Sequence, residues 1–327
     1  MNEEENEKSV ELTKKVKLWL NEEGYPTEFK AANICRTNDF RVWQGFHVRD
    51  EKTQLPREID VVASRDHPTR DHLIRVEHVL ECKWSKNKPW IVFTSSNAHI
   101  APAACTAQTI GNLLGSAVIW ALAGDSSLHS LDYFWTPDRP GFGGRQAFSK
   151  GVDHFYAAVA AVSDLSFLLA QRDENLVGPQ YEMPRNAVLA FPVVVVEGQL
   201  FEAYFDEALN EMQLMPRNRI RCHWRGASAS QLNTTIDVVV LDHLDQFMRM
   251  RARDVVTLLS RMHDTVIEIE QCFREQSLKP LRVHPGPRGI LGLPRLFRDL
   301  DMLDAAKGLK RTSVRKANSS KKKGATP

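Results

Sequence analysis

Arg57-Glu58-Ile59-Asp60-Val61-Val62-Ala63, followed some twenty residues later by Val79-Leu80-Glu81-Cys82-Lys83-Trp84, is the part of the chain that decides the fold. The first run is short and β-branched and reads as a strand. Ser64 to His72, with Pro68 and several charges, reads as a turn, and Leu73 to Trp84 as a second strand, so the two make a hairpin. Side chains alternate along a strand, so Glu81 and Lys83 project from one face while Leu80 and Cys82 turn the other way into apolar packing. If Asp60 points to the side of Glu81 and Lys83, two carboxylates and one ammonium converge.

That trio suits phosphodiester hydrolysis. Paired carboxylates hold Mg²⁺, a hard ion that prefers oxygen ligands. The metal stabilises charge developing on the scissile phosphate and acidifies a bound water. A lysine beside it orients or deprotonates the nucleophile and neutralises phosphoryl oxygens.

Arg57-Glu58-Ile59-Asp60, the gap and Val79-Leu80-Glu81-Cys82-Lys83-Trp84 resemble the PD-(D/E)xK nuclease superfamily, with a Glu-Cys-Lys element similar to its Mrr-like branch. The resemblance covers mainly residues 8–110. It implies a restriction-endonuclease-like α/β fold, with a mixed central sheet flanked by helices. It also implies that Asp60 and Glu81 ligate Mg²⁺, with Mn²⁺ as an alternative, and that Lys83 is catalytic. Members of the family often carry a Glu on the first helix ahead of a Gly-Tyr/Phe step; Glu11 is the best-placed match before Gly24-Tyr25, with Glu7 as runner-up, and Glu11 would complete the metal shell. A glutamine or basic residue on the helix after the lysine strand often assists, which points to Gln108. The one departure is Ile59, where the motif has proline. The implied activity is that of a metal-dependent endonuclease acting on DNA, in cytoplasmic restriction, defence or repair. Two alternatives to an active site stand beside this: a surface hairpin with a salt bridge, and a non-catalytic nucleic-acid- or partner-binding module that retains the fold. The sequence leaves open DNA against RNA, and whether two chains pair as a homodimer to cut both strands.

Outward from the hairpin, Lys8 to Glu23 carries Val10, Leu12, Val16, Trp19 and Leu20 at helical spacing and stops at Gly24, so it reads as an amphipathic helix. Thr27 to Val48 alternates loosely and suits strands. Ala104 to Ala123 is small and apolar and reads as a buried helix. Asp125 to Lys150, with Pro137, Pro140 and four glycines, reads as an irregular insertion around 125–150. Val152 to Gln171 reads as a helix. Ala187 to Val196, Glu197-Gly198 and Gln199 to Phe205 read as a second hairpin. Arg219 to Trp224 and Thr235 to Leu241 are strands, and Leu244 to Glu275 is a long closing helix. The expected organisation is a nuclease domain at 1–275, a loosely packed helical extension at 276–304 and a disordered basic tail at 305–327.

Composition bounds the partners. The 327 residues hold 43 Lys+Arg against 41 Asp+Glu, a formal charge of +2, and 43% hydrophobic residues, which excludes disorder for most of the chain. Eight of the cations follow Asp304 with no carboxylate among them, so residues 1–304 hold 35 cations against 41 anions, a net charge of −6. A basic tail on an acidic body would attract any polyanion in a salt-sensitive, sequence-independent way. Five cysteines without CxxC spacing argue against a disulfide framework and for a reducing compartment. The start lacks an apolar core of a signal peptide, and the longest apolar run, Leu113 to Ala123, is short of the about 20 residues that a membrane span needs, so the expected setting is cytoplasmic with no membrane partner.

The remaining signals are weaker. His67, His72 and His78 follow no zinc spacing and read as solvated turn histidines. Gly141-Phe142-Gly143-Gly144-Arg145 follows no clear strand and reads as a flexible loop. Trp84, Trp90 and Phe93 read as core aromatics or as base-stacking groups. Arg249, Arg251, Arg253 and Arg261 on the late helix read as a DNA-contacting or solvated face.

Overall fold

Ala187 to Val196 is almost entirely aliphatic and buried on both faces, which forces this strand into the middle of a sheet. The computed structural model describes residues 3–49, 54–69, 71–85, 88–149, 151, 153–172, 183–225, 233–284 and 293–298. In it β7 (Asn186–Glu197) runs parallel to β3 (Leu73–Trp84) along its whole length and parallel to β11 (Thr234–Val240) on its other side. Beyond β3 lie β2 (Pro56–Pro68) and β1 (Arg41–Arg49), each antiparallel to its neighbour. Beyond β11 come β10 (Arg219–Trp224), β6 (Gly141–Gln146), β4 (Trp90–Thr94), β8 (Leu200–Asp206) and β9 (Glu211–Pro216). With the two-residue β5 (Ile110–Gly111), which pairs with β7, the described residues form one mixed sheet of 11 strands.

Helices cover both faces. Even-numbered residues of β7, such as Val194 and Val196, join Val79 of β3 in packing against Phe155, Val159 and Val162 of α6 (His154–Gln171). Odd-numbered residues turn the other way: Ala187, Leu189 and Phe191 pack with α4 (Leu113–Leu122) and with Val255 and Leu258 of α7 (Leu244–Glu275). Val193 and Val195 meet Leu80 and Cys82 of β3, Phe247 of α7 and Ala31, Ala32 and Cys35 of α2 (Tyr25–Thr37). Each fully buried Val, Leu, Ile or Phe contributes about 1.5–3 kcal/mol, so these two apolar layers hold the halves of the chain together. All five cysteines are free and buried, and no helix among the described residues is long and apolar enough to cross a membrane.

The structure departs from the sequence reading at several places, each for a physical reason. Residues 25–37 are helical rather than extended, because Pro26 starts the helix and Ala31, Ala32 and Cys35 line its buried side at helical spacing. Ahead of α2 lies α1 (Glu3–Glu22). Between them Gly24 takes a φ of +84°, and its Cα lies so close to Trp84 that an added Cβ would come within 2.7 Å of the tryptophan Cβ. The turn between β2 and β3 shrinks to residues 69–72, closed by hydrogen bonds between Thr69 and His72.

The single helix expected over 104–123 is broken into α3 (Pro102–Ala107), β5 and α4, since Asn112 caps α4 by accepting the Gly115 N–H at 2.8 Å. The expected hairpin at 187–205 does not form: β8 leaves β7 and pairs instead with β4 and β9, because both sides of β7 are already taken by β3 and β11.

The segment expected to be an irregular insertion holds α5 (Ser126–His129) and strand β6, and the supposed flexible loop at 141–145 is that strand. Its glycines serve close packing: a Cβ on Gly144 would lie 2.7 Å from both the Ile91 carbonyl oxygen and the Phe155 ring. The expected loose extension supplies Leu281 and Phe297 to the core, with Phe297 against Trp120 at 5.9 Å between ring centroids. The tail expected to be disordered, 305–327, lies outside the described residues.

Candidate active site

The antiparallel pairing of β2 and β3 ends at Val61 and Leu80. Two residues beyond Leu80, the Cys82 backbone N–H donates to Oδ2 of Asp60, the neighbour of Val61, at 2.7 Å. A carboxylate thus takes a main-chain donor of β3 where the strand pairing stops. Glu81 and Lys83, on the β3 face opposite Leu80 and Cys82, form an ion pair with Nζ 2.5 Å from Oε1. Asp60, Glu81 and Lys83 are close enough to act on one another electrostatically, so the predicted trio is assembled.

The charges at this point are in tension. Burial, with the Glu81 carboxylate beside it, pushes the Asp60 carboxyl up to about 7, against the opposing pull of the Cys82 N–H and the Lys83 ammonium. Burial alone would lower the Lys83 pKa, but its ion pair with Glu81 outweighs that and the net shift is upward, so Lys83 is held as an ammonium.

A third carboxylate reaches the site from α2. Glu28 stands in its first turn and has its pKa raised by burial and by Glu58 and Glu81, with Lys83 opposing. The start of α2 is tied to the sheet by Glu197 at the end of β7, which accepts hydrogen bonds from the Thr27 hydroxyl and, at 2.5 Å, from the Lys30 ammonium.

Two predicted residues lie elsewhere. Glu11 is on α1, its side chain 66% exposed and paired with Lys15 one turn along the same helix. Glu28 is the acid of the N-terminal helices that acts electrostatically on Glu81 and Lys83. Gln108 caps the C-terminus of α3 and lines a separate cavity of about 660 Å³ with Asn97, Phe142 and His223. The side chain of Glu7 lies outside the described residues. Sequence reasoning missed Glu28, Glu58 and Glu197. The signal for Glu28 was Pro26 at a helix start followed two residues later by an acid, as helix dipoles favour.

No family model, curated protein or solved structure matches this chain. The site therefore has to be read from its own chemistry. Among the described residues no three His, Cys, Asp or Glu side chains stand together as a ready cage for a metal. Two mutually repelling carboxylates at one point nevertheless fit Mg²⁺, which commonly takes one or two carboxylates, substrate phosphate oxygens and several waters.

The remaining candidates resolve into structure. Trp90 is buried against Phe155 at 5.7 Å. His78 is no turn residue: it is wholly buried among Phe40, Tyr133 and Phe191. Arg251, read as a surface or DNA-contacting group, is in the core. Its Nη2 lies 2.6 Å from Asp237, which also pairs with Arg219 and Arg221. Arg249 pairs with Asp245 on the helix surface, and Arg253 with Asp254 at 2.7 Å.

Proposed function

We propose that the chain is a metal-dependent nuclease of the PD-(D/E)xK type, with a restriction-endonuclease-like fold and DNA as its substrate. The observation that carries this reading is the assembly of Asp60, Glu81 and Lys83 where β2 and β3 part, with Glu28 approaching from α2. The order of elements supports it: a helix (α2), three antiparallel strands (β1 to β3), a stretch of helices interleaved with β4, β5 and β6, and a strand (β7) parallel to the third. Against a mere surface salt bridge stands the burial of β3, where unpaired charge is costly.

Asp60 and Glu81 would hold Mg²⁺, or Mn²⁺ in its place, with Glu28 adding negative charge nearby. Such an ion supplies charge stabilisation on the phosphate and a more acidic water. Lys83, kept protonated by Glu81, donates hydrogen bonds to a phosphoryl oxygen and to the attacking water. The Cys82 N–H fixes the Asp60 carboxylate in one orientation. Glu197 acts at a remove, by seating the first turn of α2 and with it Glu28.

The test is incubation of the purified protein with plasmid, linear and single-stranded DNA and with RNA, in Mg²⁺, Mn²⁺ or EDTA. Cleavage of DNA with either metal and none in EDTA is the expected result. Binding without cleavage under every metal condition would favour a non-catalytic module.

A further inference from the structure

A cavity of about 390 Å³ opens beside the proposed catalytic residues and shares Lys83 with them. Lys83, Lys88 and His154 line it, and among the described residues no carboxylate does. Asp60, Glu81, Glu28 and Glu58, which act on one another electrostatically, are not among its lining residues. The walls are built rather than incidental. Gln146, at the end of β6, donates to Ser85 Oγ at 2.9 Å, and Ser85 in turn donates to the Lys88 carbonyl. Ser85 and Gln146 are both buried.

Two tryptophans complete the wall. Trp84 is partly exposed, whereas Trp90 is 1% exposed and its buried indole N–H has no acceptor among the described residues. A buried donor without an acceptor is costly, and an acceptor atom on a ligand would satisfy it. The volume falls at the small end of the range of about 300–1,000 Å³ that ligand pockets show, enough for one nucleotide and too little for a duplex.

We propose that this cavity is a subsite for a single unpaired nucleotide next to the phosphate that is cut, its own phosphate held by Lys88 and His154 and its base against Trp84. The proposal rests on the nuclease reading for its place in the reaction, and it names the substrate class as strands with unpaired or splayed nucleotides. Cations and an imidazole N–H suit phosphate oxygens, and an aromatic face accepts any base.

The experiment uses the full chain as Asp60→Asn in EDTA, so that binding is read without turnover. Thymidine 5′-monophosphate, thymidine and inorganic phosphate are titrated separately by calorimetry. The monophosphate is expected to bind at least about tenfold more tightly than either thymidine or phosphate, since each supplies only one part of the recognition. Lys88→Ala with His154→Ala, both exposed positions, is expected to weaken the monophosphate at least about tenfold at unchanged thermal midpoint. Equal binding of the three probes, or full monophosphate affinity in the double variant, would overturn the subsite. Because the readout is binding in EDTA, the subsite stands or falls independently of cleavage. A wild-type protein that cuts nothing with any metal, yet binds the monophosphate through Lys88 and His154, would reject the nuclease reading alone.

Discussion

Cys82 gives its backbone N–H to the Asp60 side chain, at 2.7 Å, just beyond Val61 and Leu80, the last paired residues of β2 and β3. A hydrogen bond that strand pairing would normally take is thereby spent on orienting a carboxylate. Burial and Glu81 keep that carboxylate reluctant to ionise. This is an arrangement that adds little to a sheet and much to a site that gathers positive charge.

Replacement of Asp60 by Asn keeps a side-chain acceptor for the Cys82 N–H while removing the charge. Cleavage in Mg²⁺ should fall by about 10²–10³-fold or more, as for other single electrostatic groups at reacting centres. Lys83→Ala should do the same, and circular dichroism should show both variants folded. Undiminished cleavage by the two variants would reject the assignment.

Glu28 and Glu11 separate the structure from the sequence reading. Glu28 is coupled to Glu81 and Lys83, whereas Glu11 is solvent-exposed on α1. Glu28→Gln should lower cleavage at least about tenfold, the equivalent of about 1.4 kcal/mol of barrier. Glu11→Gln should leave it within twofold in the same assay; the reverse ranking would return the role to Glu11.

The hairpin could be read directly because its evidence is local. β-Branched runs, a turn and side-chain alternation place Glu81 and Lys83 on one face before any tertiary contact is known. Glu28 could not be read that way, since α2 is weakly amphipathic and its position depends on Glu197, 169 residues further along the chain. The same limit explains β8. Its sequence marks a strand after a tight turn, but nothing local says that β7 has both sides occupied. Arg251 is the opposite case. A run of arginines at alternate positions looks like a solvated face until Asp237 on β11 draws one of them inside.

That buried pairing carries a stability prediction. Burial would raise the Asp237 carboxyl, but Arg219, Arg221 and Arg251 together hold it well below the usual carboxylate range. Asp237→Ala would strand buried guanidinium groups, a loss of about 3–5 kcal/mol where one partner of a buried pair is removed. Arg249→Ala, which breaks only an exposed helix pair with Asp245, should cost no more than about 1 kcal/mol. Urea unfolding of the two variants against the parent protein measures the difference, and equal losses would contradict the burial argument.

His78 sets a pH dependence whose sign can be worked out. Burial, with Arg251 nearby, pushes its pKa down to about 3, whereas in the unfolded chain it titrates near about 6.5. Between these values the unfolded state binds the extra proton, so the contribution is fully present above about pH 6.5 and is lost as pH falls toward 3. From pH 6.5 to pH 5 this single group should cost about 2 kcal/mol of unfolding free energy. His78→Phe keeps an aromatic ring among Phe40, Tyr133 and Phe191 and removes the titration. Between pH 7 and pH 5 the unfolding free energy of the parent should therefore fall by about 2 kcal/mol more than that of the variant, because the parent alone loses this contribution. A parallel fall in both proteins would mean that His78 is protonated without cost and is less enclosed than its aromatic surroundings imply.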